Sequence, residues 1–267
     1  MRRSALALLL AACAACAQAA PPSVYLEELT STELRDALRS HELATAIIPV
    51  GGTEQSGPHL VLGKHNVRVR VLAGRIAAQL GNAVVAPVVA YVPEGRVDPP
   101  TSHMRFAGTL SIPPEAFEAL LASAARSLRQ HGFRDIVLLG DHGGYQDELR
   151  AVAARLNREW AGTPARAQYV AAYYRATETT YVEALRAHGL TPAQIGSHAG
   201  AADTALALAV DPALVKSDRL PRDSSAGALP GVTGDPRVAT AALGQLGIDA
   251  IVAQSVAAIR QATAAPR

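Results

Sequence analysis

The chain has 267 residues, 49% hydrophobic and 18% charged, enough for one large domain with a sizeable core and too apolar for general disorder. Lys and Arg number 25 against 23 Asp and Glu, a formal net charge of +2, and aromatics make up 4%. That leaves neither the basic face that nucleic acid demands nor the rings needed for base stacking, so nucleic acid is excluded as an expected partner.

The chain opens on Arg2 and Arg3, an uncharged apolar stretch from Ser4 to Ala15, and then Ala17-Gln18-Ala19, a small-x-small cleavage pattern. This predicts a secretory signal peptide over residues 1–19 and one domain over 20–267. Cutting there removes two arginines and no acid, leaving 23 basic against 23 acidic residues. Cys13 and Cys16 both fall in this segment, so a chain starting at Ala20 has no thiol chemistry. Leu10-Ala11-Ala12-Cys13 also fits a lipobox in which Cys13 becomes a lipidated N-terminus, and the two readings stand side by side. Either predicts export to the periplasm, soluble or anchored through Cys13. The apolar stretch is too short for a permanent span, and no later segment reads as a transmembrane helix.

Strand and helix signals then alternate. Thr30-x-x-Glu33 is a capping box opening a helix to about His41. Ala44–Val50 is a buried strand running into Gly51-Gly52 and a polar loop. A helix over Val67–Leu80 stops at Gly81, and Ala83–Ala90 reads as a strand. Pro113-Pro114 opens a helix to about His131, with Gly132 as its stop. Asp135–Leu139 is the next strand and meets Gly140-Asp141-His142-Gly143-Gly144. A helix to about Trp160 and a strand near Ala167–Tyr173 follow. Further helices are expected near Glu178–His188, Ala201–Val210 and Pro236–Thr263, with Pro221–Pro236 as a long surface loop. Strands separated by helices of this length imply βαβ units. The expected fold is therefore three-layer α/β/α with a mostly parallel sheet and ligands beyond the strands' carboxyl ends.

The chain has eight histidines. His41, His131 and His188 fall at predicted helix C-termini, where they complement the dipole. His59, His65, His103, His142 and His198 fall in loops or at junctions, two of them at strand ends. Five such histidines favour a metal or acid–base site over surface residues. Glu54 shares a tightly turned loop with His65, and Asp203 follows His198 at a helix start. No H-E-x-x-H or C-x-x-C is present, so spacing alone does not define the site.

Pro49-Val50-Gly51-Gly52-Thr53-Glu54-Gln55-Ser56-Gly57-Pro58-His59-Leu60 resembles the signature of the creatininase (creatinine amidohydrolase) family. Phe106–Ser111, Gly140–Gly144, Ser197–Thr204 and Gly231–Pro236 resemble further blocks of that family, in order, so the resemblance spans nearly the whole mature chain. It implies a creatininase-like fold, a homo-oligomer, and paired divalent metals, zinc or manganese, that activate water against a C–N bond. Carried over residue by residue, Glu54 and His142 keep their ligand types. Ser56 stands at a histidine position, His65 at the bridging aspartate position, and Asp203 at a glutamate position. Imidazole offers one coordinating lone pair and cannot bridge as a carboxylate does. The resemblance thus implies about one divalent metal per chain, held by Glu54, His65, His142 and Asp203. His198 is the candidate for proton transfer, and His59, His103 and Ser56 the candidates for orienting ligands or substrate.

Two functions follow. The first is metal-dependent hydrolysis of a non-peptide C–N bond in a small molecule, such as a cyclic amide or formamide. The second is a non-catalytic exported binding protein or scaffold on the same fold.

Overall fold

The structure, a computed structural model, describes residues 21–220 and 230–265. The signal-peptide and lipobox segment, and most of the expected Pro221–Pro236 loop, lie outside the described residues. Four strands form a parallel sheet: β1 (Thr45–Val50), β2 (Ala83–Val85), β3 (Asp135–Gly140) and β4 (Arg166–Tyr169), in the order β2-β1-β3-β4. β1 and β3 pair along their full length, from Thr45 opposite Asp135 to Val50 opposite Gly140.

Both central strands are fully buried, which explains their continuous apolar sequences. Side chains alternate between two cores, because successive strand residues point to opposite faces. Ala46, Ile48, Val50, Ile136 and Leu138 face one core, shared with α1 (Ser31–Arg39), α3 (Pro114–Gln130) and α4 (Gln146–Glu159). Ile47, Val137 and Leu139 face the other. That side is covered by α2 (Lys64–Leu80), α5 (Ala171–Glu178), α6 (Thr180–Ala187), α7 (Pro192–Ile195), α8 (Ala201–Val210) and α9 (Ala241–Ala264). This is the expected three-layer arrangement. The Thr30 capping box closes as read, with the Glu33 amide donating to Thr30 Oγ1 and the Thr30 amide to Glu33 Oε2.

The differences from expectation have local causes. β2 ends at Val85 rather than Ala90, with only a bridge between Val50 and Val89 beyond it. Pro87 has no N–H to give to a ladder. β4 ends at Tyr169, and α5 begins at Ala171. The helix expected near Glu178–His188 is α6, set off from α5 at Thr179 (φ −116°, ψ −90°). α2 starts at Lys64, not Val67, which puts His65 in a first helical turn instead of a loop. α9 also corrects the expectation that no later segment could span a membrane, being long and apolar enough by length and composition. In this fold it packs into the second core through Ile248, Ile251, Val252, Val256 and Ile259. Gly244 lets it close on α8, since a Cβ there would lie 1.9 Å from the Ala205 carbonyl oxygen.

β1 leads to β2 on one side of the sheet, and β3 leads to β4 on the other. The strand order therefore reverses between the carboxyl ends of β1 and β3, where a crevice opens in sheets of this kind. Tyr145 ties the two ends together from below. Its hydroxyl proton is shared between the carbonyls of Val50 and Gly51, at 2.8 and 2.5 Å, while its oxygen accepts from the amides of Asp141 and His142.

Candidate metal centre

Three segments deliver the centre: the loop after β1 brings Glu54, the first two turns of α2 bring Lys64, His65 and Arg68, and the end of β3 brings Asp141 and His142. Gly51 permits the close approach of α2. A Cβ at that position would lie 2.2 Å from Asn66 Oδ1 and 2.8 Å from Asn66 Cα. The Gly51–Gly52 turn also receives Asn66, whose Oδ1 accepts from the Gly52 amide at 2.9 Å.

Glu54 shows no surface, and its two oxygens differ. Oε1 faces His65 Nε2 at 2.9 Å, Ser56 Oγ at 3.3 Å and Lys64 Nζ at 3.4 Å. Oε2 is buried and accepts no hydrogen bond among the described residues; His142 Nε2 stands 3.4 Å away. Burial opposes ionisation of Glu54, but Lys64 and His65 outweigh it and hold the carboxyl well below its usual range. A buried, ionised carboxylate with a bare oxygen facing an imidazole suits a cation.

His65 is braced by a further carboxylate, and His142 has Glu94 and the Gly144 amide beside its Nδ1. His65 Nδ1 donates to Asp141 Oδ2 at 2.6 Å, which leaves the Nε2 lone pair directed at the centre. His142 Nδ1 lies 3.7 Å from Glu94 Oε1, a buried oxygen without a hydrogen-bond partner, and 3.2 Å from the Gly144 amide. With Nδ1 unprotonated, His142 accepts from Gly144; with Nδ1 protonated it faces Glu94, and Nε2 is free to ligate. Burial pushes His142 down to about 4, so it is neutral near pH 7, the form that binds metal. Burial, reinforced by Glu54, pushes Glu94 up to about 8.

Glu54, His65 and His142 thus offer donor atoms that all lie within 4.8 Å of one another. His65 Nε2 lies 2.9 Å from Glu54 Oε1 and His142 Nε2 3.4 Å from Glu54 Oε2, so the carboxylate presents one oxygen to each imidazole, and zinc would draw such donors to about 2.0–2.2 Å. Asp203, expected as a fourth ligand, is placed differently. Its Oδ1 accepts from Arg68 at 3.0 Å, and its Oδ2 from Lys64 at 3.3 Å and the Ala199 amide at 2.9 Å. Both oxygens are taken, and Asp203 joins neither of the donor groups that could hold an ion.

His198, expected as the proton carrier, falls in a second donor group with Glu54 and His103. Its Nε2 donates to the Gln55 carbonyl at 3.0 Å, so Nδ1, 3.8 Å from Glu54 Oε1, keeps its lone pair toward the centre. The His103 ring stacks on it with centroids 4.1 Å apart. Burial, with Lys64, lowers the affinity of His198 for a proton. Gly196 and Gly200 set its loop against the 233–234 turn: a Cβ at Gly196, where φ is +68°, would lie 1.8 Å from the Thr233 carbonyl oxygen. His59 lies away from the donor groups, fully buried, with Nε2 2.9 Å from Thr204 Oγ1. Among the described residues, the Ser56 hydroxyl donates to Glu54 Oε1 alone, at 3.3 Å.

Lys64, Arg68, Glu94 and Asp141 were not singled out from sequence. The available signal was on α2, where Lys64, His65 and Arg68 share one face at i, i+3 and i+4 spacing with the apolar stripe of Val69, Leu72 and Ile76. A cavity of about 240 Å³ opens on the centre, with Tyr174, Thr177, Glu178 and Ser197 among its outer walls.

A family model described as creatinine amidohydrolase matches residues 27–259. The chain is 32% identical over 223 residues to a mycofactocin precursor peptide peptidase of Mycolicibacterium smegmatis, covering 74% of this chain and 77% of that protein. It is 25% identical over 258 residues to a creatinine amidohydrolase of Pseudomonas putida, covering 90% and 97%. A solved creatininase variant of Zn–Zn type superposes with a TM-score of 0.74 at 24% identity, over 91% of this chain and 99% of that one. The chain belongs to the creatininase family.

Proposed function

We propose that this protein is an exported, metal-dependent amidohydrolase that cleaves a C–N bond in a small molecule, a cyclic amide, formamide or similar amide. The observation that carries this reading is the buried, bare Oε2 of an ionised Glu54 beside a neutral His142, with His65, held by Asp141, at the other oxygen. Glu54, His65 and His142 would hold one zinc or manganese ion, with Asp203 fixing the cations around it rather than ligating. Bound there, such an ion would supply Lewis acidity, lowering the pKa of a water and polarising an amide carbonyl.

The protein's own groups do the rest. Glu54 keeps a negative charge at the centre, Asp141 fixes the plane of His65, and the Gly144 amide and Glu94 flank the Nδ1 of His142. His198, unprotonated at Nδ1 and held by Gln55 and His103, accepts a proton from the attacking water and returns it to the leaving nitrogen. The size of the cavity favours a small substrate, since about 240 Å³ is below the usual range of drug-sized pockets. Relatives are named for different reactions, on creatinine and on a precursor peptide, so the fold does not carry the substrate with it. The second reading, a non-catalytic exported binding protein, draws support from one observation, the lysine buried within the centre.

The test is a panel of small cyclic amides and formamides offered to chelator-treated protein, before and after addition of zinc or manganese. Metal-restored hydrolysis that disappears in His142→Ala supports the enzyme. A protein that takes up metal and hydrolyses nothing in the panel, with His198→Ala indistinguishable from wild type, supports the binding reading.

A further inference from the structure

Lys64 is the least expected side chain in the centre. It is 1% exposed, and its Nζ sits where three donors converge: His65 Nε2 at 2.8 Å, Asp203 Oδ2 at 3.3 Å and Glu54 Oε1 at 3.4 Å. One imidazole nitrogen and two carboxylate oxygens from three separate segments surround that position, and these are ligand types that a divalent cation also takes. Here an ammonium occupies it. Arg68 stands beside it and spends its guanidinium on Asp141 and Asp203, so Lys64 is the cation that answers Glu54.

We infer that the Lys64 ammonium is a built-in cation that fills the position bounded by Glu54 Oε1, His65 Nε2 and Asp203 Oδ2, and thereby confines the centre to the single divalent ion of Glu54, His65 and His142. Two occupants cannot share that space. Donors close to about 2.0–2.2 Å on zinc, and an ammonium held at Glu54 Oε1 and Asp203 Oδ2 blocks a second ion's approach to those oxygens both sterically and by charge. An ion that draws on the His65 lone pair leaves Lys64 to Glu54 and Asp203, which still hold it in place. The ammonium also supplies, without exchange with solvent, a positive charge that a second ion would otherwise bring to the site.

This rests on the metal-dependent reading, and the experiment separates the two. Wild type, Lys64→Ala and Lys64→Gln are stripped with chelator, titrated with manganese or zinc in a calorimeter, and analysed for bound metal after gel filtration. Melting temperature is recorded with and without the ion. The expected result is one binding step in wild type and an additional step in both variants. Removing the ammonium leaves Glu54 and Asp203 under-compensated, so the variants should also melt lower than wild type in chelator and gain more than wild type on adding the ion. Lys64→Gln keeps volume and hydrogen-bond donors at the position and guards against a failure of Lys64→Ala to fold. Variants that bind no more metal than wild type overturn the role given to Lys64, as does a wild type that already binds two ions. A wild type that binds no ion overturns the hydrolase reading instead, whatever the variants gain.

Discussion

His59 is buried without trace of surface, and burial pushes its imidazole down to about 4. An unfolded histidine titrates near 6.5. The unfolded chain therefore binds this proton first as pH falls, and stability is full above about 6.5 and declines toward pH 4. Partly offset by relaxation, His59 should account for about 1–3 kcal/mol of that decline. His142, also held near 4 by burial, adds to the same window in metal-free protein. Urea midpoints at pH 7 and pH 4.5 should fall steeply in wild type and less in His59→Gln; parallel lines would show that His59 is not the proton acceptor. Ser56 contributes one 3.3 Å contact to an oxygen that Lys64 and His65 already satisfy. Ser56→Ala should change metal content little and stability by no more than about 1 kcal/mol. Glu94 is different, because nothing else among the described residues offers His142 Nδ1 an acceptor. Glu94→Ala should weaken ion binding roughly 10–100-fold without removing a ligand, as loss of a ligand's orienting partner does; unchanged affinity by calorimetry would remove Glu94 from the centre.

At the scale of elements, the site depends on how α2 meets the end of β1. Gly51→Ala places a Cβ against the backbone of Asn66, next to His65. The change should cost about 1–3 kcal/mol through overpacking, and lower metal affinity with it by pushing His65 off Asp141. A melting temperature and a metal titration equal to wild type would show that α2 has slack. What was legible in the sequence follows the same division. β1 and β3 announced themselves as unbroken apolar runs because both faces are covered, and α8 matches its expected bounds because Gly200 and Asp211 bracket an apolar stretch. Glu54, His65 and His142 could be found because the loops after β1 and β3 are rich in glycine and carry the family's motifs. Lys64 and Arg68 carry a weaker sign, their place on the α2 face of Val69, Leu72 and Ile76. A charged residue in a first helical turn reads as solvated, and only Glu54, Asp141 and Asp203, arriving from three other segments, make its burial tolerable. Asp203 read as a ligand for the same reason: its partners on α2 are invisible along the chain.

For the whole molecule, the fold places one polar, charge-paired crevice at the reversal of strand order and encloses it between two apolar cores. α9 shows how far composition alone can mislead, since a helix apolar enough to cross a bilayer is the central brace of the second core. Export is argued from residues 1–19 alone. Mass spectrometry of protein from its native envelope should find an N-terminus at Ala20 or a lipidated Cys13, and an intact Met1 on cytoplasmic protein would contradict both. The central claim is that Glu54, His65 and His142 make a working metal centre. It is tested most directly by elemental analysis of wild type and His142→Ala after saturation with zinc or manganese and removal of loosely held ion. The expected result is about one tightly bound ion per wild-type chain and none in His142→Ala. A wild-type chain without stoichiometric metal, or a His142→Ala chain that keeps it, would contradict the claim.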